Sequence, residues 1–337
     1  VGVKFRAISP ARIKKFSAGD ARSVDIRSAG AIEHGEVFTR RWVAEVMLDL
    51  VGYTADRELV GLKLVEPACG AGAFLVPAVE RLAASVVDRG RVLDDSARSA
   101  VQAFDVQDVH VERCRAALIA VLRRFGVREA VARELAHHWV RRRDYLLSAR
   151  ANADLIEGQE EADVDVIVGN PPYIRFESVE DEFRLQYRSR WPTMKGRADV
   201  YVGFYERALR SLKPDGGRLA FICSDRWMRN QYGGELRKLV ARDYRVEAVW
   251  SMHDVNAFEK SVSAYPAITI LSRGAQGEAV VAETTRQFTE AGAQELTAWT
   301  LRPSSAETKG VGYRAFRFPG WFPGDEMWPA GDPAAHR

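Results

Sequence analysis

The sequence predicts an α/β fold built on a doubly wound, mostly parallel sheet of seven strands. Two observations carry that prediction. Short apolar runs of β type alternate with helix-periodic stretches from about residue 36 to residue 272, the rhythm of successive strand–helix–strand units. The first four strands also stop at a carboxylate or an amide, namely Glu66, Asp105, Asp144 and Asn170. A doubly wound sheet places its ligand-facing loops at such ends.

Taken in order, residues 1–35 are rich in Arg, Ser, Ala and Gly, show no period, and read as an arm. Thr39 is placed as the N-cap of a helix through Leu50, with apolar residues at 42, 43, 46, 47, 50 and 51. Leu62 to Glu66 reads as the first strand, followed by a glycine turn to Gly72 and a helix from about Ala73. A second strand ends at Asp105 and hands over to a helix across 109–124. Another helix near 128–138 leads into a third strand closing at Asp144. The stretch "DVDVIVGNPPY" supplies the fourth, which stops because neither Pro171 nor Pro172 has a backbone N–H to pair. Beyond an insertion, "ADVYVGFYERALRSLKPDGG" is an amphipathic helix ended by Pro214 and Gly216-Gly217. "RLAFICS" follows as a buried strand, then a helix near 233–242, and "YRVEAVWSM" and "AYPAITILS" complete the set. Residues 273–337 lose the rhythm, and their "FRFPGWFPGDEMWP" aromatics pack on the domain or on a further segment.

Composition sets the outer bounds. Of 337 residues, 47% are apolar and 28% charged, which is ordinary for a soluble globular protein and excludes a disordered or fibrous chain. No apolar run is long enough to span a bilayer. Cys69, Cys114 and Cys223 show neither paired nor CxxC spacing, so no disulfide framework or metal site is expected, and the setting is read as cytoplasmic. Net charge is only +3, but "RSRWPTMKGR" gathers Arg188, Arg190, Lys195 and Arg197 without an acid. That run is either a solvated face or a contact surface for an anionic partner.

The strand-end residues suggest chemistry. Gly70 and Gly72 let a backbone turn sharply and approach a ligand closely, although a plain strand–helix turn would use them too. The full GxGxxG pattern is missing, and a carboxylate at Glu66 would repel a phosphate. A ligand with cationic or hydroxyl groups suits this turn better. Asp105 could accept from ribose hydroxyls or cap the next helix. Asp144 could accept from an adenine amino group, with Tyr145 against the ring, or pair with the run Arg141 to Arg143. Asn170-Pro171-Pro172-Tyr173 is more specific. The Asn170 amide oxygen and the Pro171 carbonyl can both accept from one exocyclic NH2, the prolines fix those acceptors, and Tyr173 offers a stacking face.

With these residues in hand, the chain resembles the adenine-N6 DNA methyltransferases of restriction–modification and phage-defence systems. The resemblance covers about residues 35–272 and lies in the class whose cofactor motif precedes the catalytic motif. "GEVFTRRWVAEVMLDLV" is similar to that family's first helix, "LVEPACGAGAFL" to its S-adenosylmethionine loop, "VIVGNPPYIR" to its catalytic signature and "NAFEKSVSAYPAITIL" to the segment bearing an aromatic for the target base. The resemblance implies a Rossmann-like domain over 36–272 and an extension over 273–337 that could begin a target-recognition region. It places Thr39, Glu66, Ala68, Gly70, Gly72, Asp105, Asp144 and Tyr145 around S-adenosylmethionine. Asn170, Pro171, Pro172 and Tyr173 would hold a flipped adenine, Phe258 would cover its other face, and Arg188, Arg190, Lys195 and Arg197 would meet phosphates of double-stranded DNA. A longer Glu is common at the Asp105 position in that family, and the short extension points to a separate specificity chain as partner. Two rival readings stand beside this one: methylation of a protein glutamine amide or an RNA base, and a modification subunit inactive without its specificity chain.

Overall fold

In the computed structural model, residues 38–148, 162–259, 265–302 and 305–328 are described, all within one unit running from Glu33 onward. The arm expected over 1–35 lies outside the described residues. Four parallel strands come first: β1 (Leu64–Glu66), β2 (Val101–Asp105), β3 (Val140–Arg142) and β4 (Val166–Gly169). They are joined through α2 (Leu75–Val87), α3 (Asp108–Arg124) and α4 (Glu129–Trp139), and α1 (Arg41–Leu50) precedes them. After α5 (Asp181–Arg190) and α6 (Tyr201–Ser211), β5 (Arg218–Ser224) returns to the sheet. Then come α7 (Arg226–Arg229), α8 (Gly234–Asp243), β6 (Tyr244–Ser251) and β7 (Pro266–Arg273).

The sheet does not stop at seven. It has ten strands in the order β3-β2-β1-β4-β5-β7-β6-β8-β10-β9. The three added strands are β8 (Ala279–Thr284), β9 (Glu307–Gly310) and β10 (Tyr313–Phe318), with α9 (Glu290–Leu301) between β8 and β9. β8 pairs parallel to β6, and β10 joins β8 and β9 antiparallel. The tail thus continues the sheet with β8, a helix, and a β9–β10 hairpin that folds back so that β10 lies between β8 and β9.

Both faces of the central strands are covered, as a mostly parallel sheet requires. Alternation decides which residue goes where. Val166, Val168, Ala220 and Ile222 enter the core shared with α1, α2, α3 and α4. Ile167, Leu219, Phe221 and Cys223 enter the opposite core with α6 and α8. The tail's Trp328 joins that second core, its ring 4.6 Å from the fully buried Trp227. No helix among the described residues is long and apolar enough to cross a membrane.

Thr39 is not the cap of α1. Arg40 holds that position without a side-chain cap, while Thr39 lies extended and forms an antiparallel bridge with Phe258. Arg40 N–H donates to the Ala257 carbonyl at 2.9 Å and Glu259 N–H to the Phe38 carbonyl at 2.9 Å. The hydroxyl that looked like a local cap is used in a long-range pairing.

Candidate active site

β1 lies between β2 and β4, so the glycine turn after Glu66 stands between Asp105 and Asn170. The approach is close. A Cβ placed on Gly169 would sit 3.5 Å from Pro67 Cδ and 3.7 Å from Glu66 Cγ. The ends of β1 and β4 therefore lie side by side, and the glycine turn and the Asn170 loop leave the sheet from adjacent points.

The turn is shaped by its own backbone. Gly70 has φ +50° and Gly72 φ +99°, conformations that side-chain-bearing residues rarely adopt. Cys69 N–H donates to the Phe104 carbonyl at 2.8 Å, and Gly70 N–H donates to Asp105 Oδ2 at 2.9 Å. The other Asp105 oxygen accepts from Gln107 N–H at 2.8 Å, and Gln107, not Asp105, is the N-cap of α3. Asp105 thus ties the second strand end to the glycine turn. His110 Nδ1 stands 3.7 Å from Oδ2, so a carboxylate with about four lone-pair sites keeps capacity for a further donor.

Glu66 is 1% exposed. Burial, then the Cys69 and Asp105 groups, pushes its carboxyl well above the usual range, eased only by the Leu75 backbone N–H. Its Oε2 is buried without a hydrogen-bond partner. A buried oxygen in that condition costs free energy until a donor arrives. Space is also present, because a Cβ on Gly70 would meet no atom within 4 Å. A small ligand bearing an ammonium group and hydroxyls fits this turn, and Ala68 stands half-buried in it.

Asp144 is bound from two sides: Oδ1 accepts from Leu146 N–H at 2.7 Å and Oδ2 from the Tyr187 hydroxyl at 2.6 Å. Burial raises its carboxyl, with those bonds opposing the rise. Pairing with the Arg141–Arg143 run is not what holds it. Tyr145 departs from the expected role of a ring wall. It is 4% exposed, its ring enclosed by Phe104 and Phe204 with centroids 5.4 Å away and by the Arg207 guanidinium at 4.4 Å. No face of it is left open to stack on a ligand. Val106, directly after Asp105, is an exposed apolar residue in the same vicinity that pattern reading passed over.

The catalytic-type loop is assembled from distant segments. Asn170 Nδ2 donates to Thr39 Oγ1 at 3.3 Å, which turns the amide oxygen away from Thr39. The Pro171 carbonyl is 3.9 Å from the Cys223 thiol on β5, and Pro172 continues the loop half-buried. Tyr173 is half-buried with its hydroxyl inward, where burial and the nearby Cys223 and Tyr205 push its pKa well up. Its ring remains accessible in part. Phe258 reaches the right neighbourhood through its bridge to Thr39, but its ring is 6% exposed and packed in the core. Core contacts hold the ring here.

The basic segment keeps its cations at the surface, each with a partner in the chain. Arg188 donates to the Gly196 carbonyl and lies 4.3 Å over the Phe176 ring, and Arg190 donates to the Leu147 carbonyl at 2.7 Å. Lys195 pairs with Glu235 at 3.1 Å, and Arg197 is 3.7 Å from Glu177. Arg188 and Arg197 border a cleft of about 470 Å³ together with Leu185. Each cation of the run has an in-chain partner that sequence spacing could not supply. A polar group next to the loop went unread altogether: Asp199, with the Tyr232 hydroxyl donating to it at 3.4 Å and the Tyr201 hydroxyl 2.7 Å from that of Tyr232. Its only signal was an acid just before an apolar helix.

Comparisons with known proteins agree with this arrangement. Residues 102–258 match the Eco57I restriction-modification methylase family. The chain is 41% identical over 244 residues to the type II methyltransferase M.XhoI of Xanthomonas vasicola, covering 72% of this chain and 43% of that protein. It is 40% identical over 261 residues to M.PaeR7I of Pseudomonas aeruginosa, covering 76% and 43%. The chain thus spans less than half the length of these curated relatives. Among solved structures, the M protein of the type I restriction enzyme EcoKI superposes with a TM-score of 0.57 at 13% identity, covering 91% of this chain and 69% of that one. The modification subunit of a type I restriction enzyme from Vibrio vulnificus gives 0.56 at 15% identity, covering 85% and 55%. Residues 102–258, just under half of the chain, are thus similar to the Eco57I restriction-modification methylase family, on a sheet that solved restriction–modification subunits share in fold.

Proposed function

We propose that this chain carries the methyl-transfer half of an adenine-N6 DNA methyltransferase that uses S-adenosylmethionine. The observation supporting it most is the closeness of the glycine turn to the Asn170 loop, with Gly169 against Glu66 and Pro67. When bound, S-adenosylmethionine supplies an electrophilic methyl group on a sulfonium. Glu66 would receive its ammonium group, which meets both the buried oxygen and the raised carboxyl. Asp105, with lone pairs to spare, would accept from ribose hydroxyls, and Val106 would lie along the adenine ring in the role Tyr145 does not fill. Asp144 and the Thr39 hydroxyl would complete that site.

The target nitrogen is a poor nucleophile because its lone pair is delocalised into the ring. Accepting hydrogen bonds from its two N–H groups, the Asn170 amide oxygen and the Pro171 carbonyl would favour a pyramidal nitrogen with its lone pair aimed at the methyl. That is orientation and electrostatic stabilisation, and no strong base is required. Pro172 keeps the acceptors rigid, and Tyr173 stacks on the extruded base, offsetting an unstacking cost of a few kcal/mol. Phe258 would have to leave part of its core seat to cover the other face. A cytoplasmic location and double-stranded DNA as partner belong to the same reading. The share of the curated relatives left uncovered, together with the tail's use in the sheet, favours dependence on a further recognition segment or chain.

The test is methylation of a mixed-sequence duplex by the chain, alone and with its genomic neighbours, read out base by base. Methyl groups on adenine N6 support the proposal; methylation of only peptide amides or RNA overturns it. Asn170→Ala should keep near-normal cofactor affinity while activity falls by orders of magnitude, and full activity in that variant removes Asn170 from the mechanism.

A further inference from the structure

With the run at 188–197 occupied in-chain, other cations must face a polyanion brought to Asn170. Two exposed arginines flank that loop. Arg175 follows Ile174, whose carbonyl accepts the Val200 N–H at 3.0 Å, so it stands beside Asp199. Arg226 follows β5, the strand paired directly with β4 through Gly169 and Phe221. Among the described residues, neither side chain has a hydrogen-bond acceptor or a carboxylate within 4.0 Å. Both reach one group: burial raises the Asp199 carboxyl, Arg226 lowers it, and Glu177 raises and Arg175 lowers it more weakly, so both guanidinium groups lie within electrostatic range of that acid. One half-buried acid cannot neutralise two guanidinium groups, and each guanidinium carries five donors in a fork that matches a phosphate.

We propose that Arg175 and Arg226 form a phosphate clamp for the target strand, gripping the backbone next to the nucleotide delivered to Asn170. The inference rests on the DNA reading above. Tyr232 and Tyr201 hold Asp199 between the two arginines. With Glu177 nearby and paired to Arg197 at 3.7 Å, the three arginines still outnumber the two acids by one, and that net positive charge draws a phosphate.

The experiment is fluorescence anisotropy of a labelled duplex with the whole chain and S-adenosylhomocysteine, across a salt series. Each lost phosphate contact removes about 0.9 from the slope of log affinity against log salt, so R175A/R226A should flatten it by roughly 1.8. R175K/R226K, which keeps the charge, should restore most of the slope while losing bidentate contact and hence some affinity. Calorimetric affinity for S-adenosylmethionine should be unchanged in both. An unaltered slope in R175A/R226A overturns the clamp and leaves the DNA reading intact. A slope lost instead in R188A/R190A returns the phosphate role to α5 and likewise overturns it. If the unsubstituted chain shows no salt-dependent DNA binding, the DNA reading falls and the clamp with it.

Discussion

Replacing Gly70 and Gly72 separately by alanine should split ligand binding from stability. At Gly70, φ is +50° and an added Cβ meets nothing within 4 Å. The expected cost to the fold is only that of a left-handed alanine, about 1 kcal/mol. At Gly72, φ is +99°, and the Cβ would lie 3.2 Å from Cys114 Sγ and 3.5 Å from Val76 Cγ2. That conformation lies outside the left-handed basin, and Cys114 is fully buried and cannot retreat freely. About 3 kcal/mol is expected for Gly72→Ala. At roughly 2–4 °C per kcal/mol for a domain of this size, the melting points should fall by about 3 °C and about 9 °C. Binding should show the reverse order of interest. The open space at Gly70 is where the proposed cofactor would lie, so Gly70→Ala should weaken S-adenosylmethionine at least about tenfold, or about 1.4 kcal/mol. Urea titration and calorimetry on the two variants measure both quantities. A Gly70→Ala chain that binds the cofactor undiminished, or one destabilised as much as Gly72→Ala, would refute the reasoning.

Three further perturbations probe the same site and its support. Glu66 has a folded-state pKa raised above the ordinary 4.5, so its ionised burial costs nothing below that value and develops as pH rises past it. Glu66→Gln should accordingly raise the melting point near pH 7.5, have little effect near pH 4, and weaken cofactor binding; an equal gain at both pH values contradicts the burial argument. Tyr187→Phe removes the 2.6 Å bond to Asp144 and should cost about 1–3 kcal/mol in urea unfolding, with an unchanged midpoint showing that water replaces the hydroxyl. Trp227→Ala empties a site between Tyr205 and Trp328 and should cost about 3–5 kcal/mol, while limited proteolysis should cut sooner around Trp328. Unaltered cleavage kinetics would mean the tail is anchored elsewhere.

The parallel half of the sheet was legible because burial on both faces writes itself as apolar runs, and because each run ends at a residue with a job. Glu66, Asp105, Asp144 and Asn170 all stand at strand ends or one to two residues beyond. The added strands were not legible, since β8 to β10 pair antiparallel around an inserted helix. Aromatic roles failed for a different reason. Tyr145 follows a carboxylate as a ligand-facing ring would, yet Phe104 and Phe204 come from far along the chain to enclose it, and Phe258 is drawn into the core beside its bridge to Thr39. The in-chain partners of the basic run were likewise hidden, because Glu235 and the Leu147 carbonyl lie 40 and 43 residues from the cations they meet. Local pattern locates a loop tip; it does not say which side chains are already spoken for.

The short pairing of Thr39 with Phe258 has a practical corollary. It is made by two backbone bonds spanning segments more than two hundred residues apart, and it brings the Thr39 hydroxyl to accept from the Asn170 amide. A polypeptide starting at Arg41 would retain every sheet strand yet leave the amide without that support. Such a fragment should be open to complementation by an added peptide bearing Phe38-Thr39-Arg40, docking as a detached β-segment along Ala257 to Glu259. Transfer activity could then be switched on by adding the peptide, a split enzyme whose hinge point the fold itself supplies.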